Sequence, residues 1–421
     1  MFLLYIDPGT GSMLFSILIG AAATAYFLAR ALIIKAKVFF SGGRVKAASG
    51  MLPYVIYCEG LQYWNVFKPI LDEFEKRELS LAYLTSAEND PVFQAGYQYI
   101  KPEYIGEGNK AFARLNLLQA RIVLMTTPGL DVYQLKRSKG VAHYAHILHM
   151  PSDATLYRLF GLDYFDSVLL TGDYQAQDIR TLEKMRDIPE KQLVTVGCTY
   201  LDVYDEKMCG ISSENGHPFT VLVSPSWGKS ALLSRYGEKL LDPLARTGWR
   251  IIVRPHPQSK KSESALLDRL TQKYKDKENV EWDYARENIY SLAKADIMIS
   301  DFSGIIFDYA FLRDKPVMYV NQGMDLRPYD ADDICSDGTG NTDIQKLWQF
   351  AALSQFGIEL KEEMFEHIGD EIKKALDSAA LKAARQKAKD EAWMFRGEAG
   401  RKAAEFMISV VDSVVEKHKE A

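Results

Sequence analysis

Cysteine is scarce in this chain: Cys58, Cys198, Cys209 and Cys335 are the four in 421 residues, and no two form a C-x-x-C pair. That excludes a disulfide scaffold and leaves no thiol spacing suited to zinc. An excess of positive charge is also missing. There are 51 Lys+Arg against 56 Asp+Glu, a formal net charge of −5. A mainly nucleic-acid-binding role is excluded, because neutralising phosphates takes clustered cations. The G-x-x-x-x-G-K spacing of a phosphate-cradling loop is absent too. What is present is ordinary globular material, 47% apolar and 25% charged, in a chain long enough for two or three domains with cores of their own. Cys58 and Cys198 lie in or beside apolar runs. They read as buried reduced thiols and suit a reducing, cytoplasmic setting for the globular part.

Only one apolar run is long. Ser12 to Ala29 carries no charge and continues past Arg30 to Ile34. About 20 apolar residues span a bilayer core, with Arg30 able to snorkel to the interface. Arg30, Lys35, Lys37, Arg44 and Lys46 stand in the first 50 residues against the lone Asp7. The cations follow the run, the reverse of a cleaved signal peptide, and hold its C-terminal side in the cytoplasm. The expectation is one transmembrane helix within residues 1–45, with the lipid bilayer as a partner. The protein would then be a single-pass cell-membrane protein with its catalytic domains on the cytoplasmic face. A buried core helix is the alternative. Tyr5 to Ser12 contains Asp-Pro-Gly, a turn signal that would start the helix.

From Leu52 onward short apolar runs alternate with helical stretches. Tyr54–Cys58, Leu81–Leu84, Arg121–Thr127, Val141–His149, Ser167–Gly172 and Leu193–Gly197 read as strands, with helices over Tyr63–Leu79 and up to Arg186. The pattern restarts after the polar stretch Cys209–Pro218, with strands Phe219–Pro225, Trp249–Pro255, Ala295–Ser300 and Lys315–Val320, and a helical tail from Ile358. Such alternation predicts an α/β chain of parallel sheets. The expected organisation is two Rossmann-like domains facing a cleft, over 46–212 and 213–395, with a C-terminal helix over 396–421. Ligands in such sheets sit beyond the carboxyl ends of the strands.

Three motifs directly follow strands of the second half. Ser224–Ser230 (SPSWGKS) puts Ser226, Trp227 and Lys229 at a strand-to-helix turn, where a phosphate can be approached or a base stacked. Val253–Pro257 (VRPHP) holds Arg254 and His256 in a proline-stiffened turn. Arginine suits bidentate phosphate contact, and histidine can donate a hydrogen bond or move a proton near neutral pH. Ser300–Pro316 (SDFSGIIFDYAFLRDKP) places Ser300, Asp301, Ser303 and Gly304 at a helix start whose free N–H groups attract phosphate. In the first half, His149 ends the run Val141–His149, and His143 and His146 read as packed or hydrogen-bonded within the strand.

The Arg254–Pro257 turn and the Ser300–Pro316 segment resemble motifs of the CDP-glycerol glycerophosphotransferase family, the teichoic-acid primases and polymerases. That family shows R-x-H-P and S/T-D-Y-S-S-x-x-F-D-x-x-x-L-x-K-P. Ser224–Trp227 is similar to its P-T-W-R, and Thr195–Asp202 (TVGCTYLD) to its G-x-P-R-x-D. The likeness runs from about His149 to Gly397. The chain departs from the pattern at Met150, where the family has His-Gly, at Gly228 in P-T-W-R, with Lys229 in place of its Arg, at Tyr200 for an Arg, and at Gly304 for the second Ser. These departures bear on the transferred alcohol and the acceptor.

The resemblance implies a GT-B fold with the CDP-alcohol bound in the C-terminal domain and no bound metal or other cofactor. It implies a membrane-anchored transferase that moves a glycerol phosphate-like unit from the CDP-activated donor to a hydroxyl of a cell-wall or surface glycopolymer, releasing CMP. In that reading His149 is the general base and His256 meets the developing charge. Arg254, Ser303 and Gly304 hold the pyrophosphate, and Ser226, Trp227, Lys229, Ser300, Asp301 and Asp308 complete the donor site. A GT-B glycosyltransferase using a nucleotide sugar is the nearest alternative. A catalytically inactive, membrane-tethered scaffold of a polymer-assembly complex is the alternative of another class.

Overall fold

The computed structural model describes residues 51–211, 217–321 and 324–420. The apolar run at 12–29 and the basic residues around it lie outside the described residues. Among those described, no helix is long and apolar enough to cross a membrane.

Two parallel sheets succeed one another along the chain. The first holds β1 (Leu52–Cys58), β2 (Leu81–Thr85), β3 (Ile100–Tyr104), β4 (Gln119–Met125), β5 (Gly140–Ile147), β6 (Ser167–Leu170) and β7 (Gln192–Thr195), in the order β3-β2-β1-β4-β5-β6-β7. The second holds β8 (Thr220–Val223), β9 (Arg250–Val253), β10 (Val280–Trp282), β11 (Ile297–Ser300), β12 (Val317–Tyr319) and β13 (Gly357–Glu359), in the order β10-β9-β8-β11-β12-β13. Strand order reverses at β1/β4 and again at β8/β11, and each reversal opens a crevice at the carboxyl ends of its strands. Five helices frame these crevices or tie the halves together: α1 (Trp64–Lys76), α2 (Thr199–Cys209), α3 (Ile305–Arg313), α4 (Trp348–Phe356) and α5 (Ala399–Glu420).

The strands are near-continuous apolar runs because both faces of each sheet are covered. Alternate residues of β1 divide between two cores. Tyr54, Ile56 and Cys58 pack with α1 and α5, while Val55 and Tyr57 pack on the opposite face. In the second sheet Leu222, Ile252 and Met298 face α2 and α3, and Val221, Ile251 and Ile297 face the other core. Helix α1 buries Val66, Phe67, Ile70, Leu71 and Phe74, the three-and-four spacing of one helical face.

Three strands were not legible in the sequence, namely β3, β10 and β13. Each is the outermost strand of its sheet on one side. The stretch from Ile358 that reads as helical in the sequence begins with β13 instead, and the helices come after it. Cys58, Cys198 and Cys335 are buried free thiols, and Cys209 is exposed.

The halves are joined by directed hydrogen bonds on one side. Asp153 accepts the backbone N–H groups of Trp348 and Gln349 at the start of α4, at 2.9 and 2.8 Å. Asp330 accepts those of Phe160 and Gly161, and Arg186 pairs with Asp163, Asp330 and Asp333. On the other side the chain crosses back. Asp202 of α2 accepts from Trp393 Nε1 and from the backbone N–H of Ala399, which fixes the start of α5. Helix α5 then lies against α1 of the first half. Gly400 makes this approach possible, because a Cβ there would stand 2.5 Å from Pro69 Cβ and 2.6 Å from its carbonyl oxygen. Neither atom belongs to a flexible side chain. Gly400→Ala is therefore expected to destabilise the fold by about 1–3 kcal/mol, the usual cost of overpacking. Urea unfolding of the variant checks this, and an unchanged midpoint would contradict it.

Candidate active site

A cavity of about 810 Å³ opens between the halves, beyond the carboxyl ends of their strands. The first half contributes Leu61–Val66 after β1, and His149 and Met150 after β5. The second half contributes Ser224 and Pro225 after β8, Arg254–Pro257 after β9, and Ser303–Ile305 and Asp308 at α3. Tyr200 and Tyr204 of α2 and Arg286–Asn288 complete the wall.

The wall at β8 and β11 is held by Asp301, which is fully buried. Its Oδ1 accepts the backbone N–H groups of Ser226 and Ser303, at 2.9 and 3.2 Å, and its Oδ2 accepts that of Leu232 at 2.9 Å. Burial holds this carboxyl above its usual range, with the three N–H donors opposing the shift. Ser300 is turned inward as well, donating from Oγ to the Ser224 carbonyl at 2.6 Å. Ser226, Ser300 and Asp301 are thus buried in the scaffold, and the structure does not bring them to the cleft wall. The cause is the backbone of the loop after β8, whose own N–H and C=O groups need partners: Asp301 accepts from its amides and Ser300 donates to its carbonyl. Ser303 and Gly304 do reach the cavity. The Ser303 amide is spent on Asp301, so among the described residues the amides at the start of α3 left without a partner are those of Gly304 and Ile305.

Arg254 lines the cavity, but its guanidinium is engaged. Nη1 pairs with Asp283, and Nη2 donates to the Ala285 carbonyl at 2.7 Å. The bidentate phosphate fork expected from the sequence is replaced by a strut that fixes the 283–288 loop. Burial alone would raise the Asp283 carboxyl. Hydrogen bonds from Ser291, the Ala285 amide and Arg254 outweigh it and hold the group below its ordinary range. His256 lies beside this strut. Its Nδ1 accepts the Gln258 backbone N–H at 3.1 Å. In the neutral ring the proton is therefore on Nε2, which is left as a donor. Burial lowers the His256 pKa, with Glu263 opposing. Trp227 is 48% exposed, with its ring 6.3 Å from that of His256. Lys229 is exposed and lies off the cavity wall.

His149 faces this wall from the first half. Its ring meets Tyr63 edge-on at 5.1 Å, and its Nδ1 lies 3.3 Å from the Tyr157 hydroxyl. Burial lowers its pKa to about 4, so the ring is neutral at pH 7 and able to accept a proton. His143 and His146 are held within the strand, by Ser167 Oγ at 2.9 Å and the Tyr157 hydroxyl at 3.0 Å. Asp308 is buried in the wall, where Tyr200 donates to its Oδ2 at 3.1 Å. Burial raises this carboxyl to about 7. Tyr200 was visible in the sequence only as the residue standing where an Arg was expected. Tyr63, Tyr157 and Asp283 carried no signal at all.

Asp301→Ala strands three backbone N–H groups, two of them buried, and is expected to cost about 3 kcal/mol or more. A denaturation midpoint equal to that of the parent would contradict the scaffold role. For His149, the unfolded ring titrates near 6.5 and the folded ring near 4. Between those values the unfolded state binds more protons, so stability falls as pH drops from 6.5 to 4. His149→Gln should flatten that part of the pH–stability curve, and an unaltered slope would show that His149 is not the titrating group.

Comparison with known proteins bears on this geometry. Residues 210–333 match the family model of CDP-Glycerol:Poly(glycerophosphate) glycerophosphotransferase. That span contains the Ser224–Ser230, Val253–Pro257 and Ser300–Pro316 motifs, so the resemblance read from them holds. No curated protein matches the chain in sequence. Among solved structures, the chain is similar to the wall teichoic acid polymerase TagF, at 14% identity and a TM-score of 0.53, over 86% of this chain and 90% of that one. It is also similar to a putative UDP-N-acetylglucosamine 2-epimerase from Listeria monocytogenes, at 12% identity and a TM-score of 0.55, over 87% and 98%. The UDP-GlcNAc 2-epimerase of Methanocaldococcus jannaschii matches at 13% identity and a TM-score of 0.54, over 85% and 100%. These likenesses show the fold: an α/β arrangement of parallel sheets resembling the GT-B glycosyltransferases.

Proposed function

We propose that this protein transfers a phospho-alcohol unit, glycerol phosphate or a close relative, from a CDP-activated donor to a hydroxyl of a cell-wall or surface glycopolymer. The family match over residues 210–333 supports the donor class. The observation that carries the reading is the shared cavity, which His149 lines from one half and His256, Ser303 and Gly304 from the other.

The chemistry follows from those groups. The acceptor oxygen attacks the phosphorus that bears the alcohol, a new P–O bond forms, and the P–O bond to CMP breaks. The acceptor proton goes to neutral His149. Negative charge grows on the bridging and equatorial oxygens, and phosphoryl transfer is governed by how that charge is met. His256 Nε2–H and the Gly304 and Ile305 amides donate to it, at the positive end of α3. Arg254 acts through Asp283, keeping the 283–288 loop against the nucleotide. The 12–29 run anchors the protein in the cell membrane, and the cations after it keep the two halves on the cytoplasmic face. No nucleic acid and no resident metal take part.

A nucleotide-sugar transferase is the second reading, and Asp308 favours it. A carboxyl with a pKa near 7 lies in the same wall and suits a sugar hydroxyl. Membranes holding the protein, supplied in turn with CDP-glycerol, CDP-ribitol and nucleotide sugars, separate the readings by the nucleotide released. CMP from a CDP-alcohol is expected. His149→Ala should cut that release by roughly 10²–10⁴, the range for a lost general base, without weakening donor binding. UDP release alone would favour the sugar transferase, and no release from any donor the inactive scaffold. For the anchor, removing residues 1–40 should move the protein from the membrane pellet to the supernatant. Retention in the pellet at high salt would contradict it.

A further inference from the structure

His149 does not stand alone in its wall. Tyr157 Oη lies between two imidazoles, 3.0 Å from His146 Nε2 and 3.3 Å from His149 Nδ1. A phenol has one proton to give, so it donates to one ring and accepts from the other. Two arrangements satisfy this: Tyr157 donates to His149 Nδ1 and accepts from His146 Nε2–H, or it donates to His146 Nε2 and accepts from His149 Nδ1–H. The shorter contact, 3.0 Å, is on the His146 side, the length an O–H donor favours, and the second arrangement follows from it. With its proton on Nδ1, neutral His149 keeps a lone pair on Nε2.

We propose that Tyr157 is a positioning residue that sets the tautomer of His149, leaving Nε2 unprotonated to receive the proton of the attacking hydroxyl. The proposal rests on His149 being the base of the transfer reaction. His146 is the other end of the device. It is fully buried, with Phe165 at 5.0 Å and Tyr157 at 5.2 Å between ring centres. Among the described residues, Tyr157 is the one hydrogen-bond partner of its ring. Its role is to accept the hydrogen bond of the phenol, so that Tyr157 is left as an acceptor toward His149. The main chain of Tyr157 is fixed from the other half, through the Asp330 N–H donating to the Tyr157 carbonyl at 2.9 Å. Asp330 in turn receives the Phe160 and Gly161 amides and Arg186. The base is therefore placed by a contact that exists only while the halves are joined.

The test reads the tautomer directly. In the full-length protein with 15N-labelled histidine, long-range 1H–15N correlation should show His149 protonated on Nδ1. Tyr157→Phe should lose that preference. In the CMP-release assay with CDP-glycerol it should lower kcat by roughly tenfold to a hundredfold, as a mispositioned catalytic group does, with KM for CDP-glycerol unchanged. His146→Phe keeps an aromatic ring, slightly larger, but removes the acceptor. Tyr157 should then donate to His149 Nδ1, move the proton to Nε2, and lower kcat at least as far. A wild-type His149 protonated on Nε2 would overturn the proposal. So would two variants that retain both the Nδ1–H tautomer and the parent kcat. If the parent releases no CMP from CDP-glycerol, the donor reading fails, and the tautomer spectra still decide the role of Tyr157.

Discussion

The second half of the cleft depends on one carboxylate. Asp301 stands at the end of β11, where strand order reverses, and receives N–H groups from the loop after β8 and from the start of α3. A strand reversal leaves a crevice, and a crevice lined by irregular backbone exposes polar groups that must be satisfied. Asp301 satisfies three of them at once. In doing so it turns the amides of Gly304 and Ile305 into the unspent donors of the α3 terminus. The residues that resemble a ligand-binding motif in sequence are in part the framework that holds their neighbours at the cavity.

The same division of labour recurs across the cleft. Arg254 braces a loop through Asp283, while His256, two residues on, keeps a free donor because a backbone amide occupies its other nitrogen. On the opposite wall burial keeps His149 neutral, and among the described residues no carboxylate or ammonium stands against it to hold a proton. A diphosphate entering the cavity would supply the missing negative charge and favour the protonated ring. In the proposed reaction, donor binding and the basicity of His149 are linked through the electrostatics of one cavity. The clamps at Asp153 and Asp330 hold together the halves from which His149 and His256 reach that cavity.

Most of the fold was legible because buried parallel strands are unbroken apolar runs. The strands that were missed lie at sheet edges. Four of the five residues of β3 are exposed and one is Pro102, and β10 and β13 are three residues each. With a neighbour on one side only, an edge strand needs neither length nor continuous hydrophobicity. The site obeyed a similar rule. His149, His256, Ser303 and Gly304 end strands or start a helix, and order along the chain sufficed to place them. Arg254 reads as a ligand in the sequence because its partner Asp283 comes directly after β10, one of the edge strands that periodicity does not reveal. Tyr157 was invisible because nothing eight residues beyond a histidine indicates that the chain turns back to it. Packing reveals such partners, and periodicity does not.

The roles assigned to the two histidines depend on where the donor's diphosphate lies. A crystal structure with CDP-glycerol bound should place it between His256 Nε2 and the amides of Gly304 and Ile305, with the alcohol directed toward His149. A nucleotide found instead in the crevice of the first half, beside Glu59, Glu88 and Glu107, would contradict it.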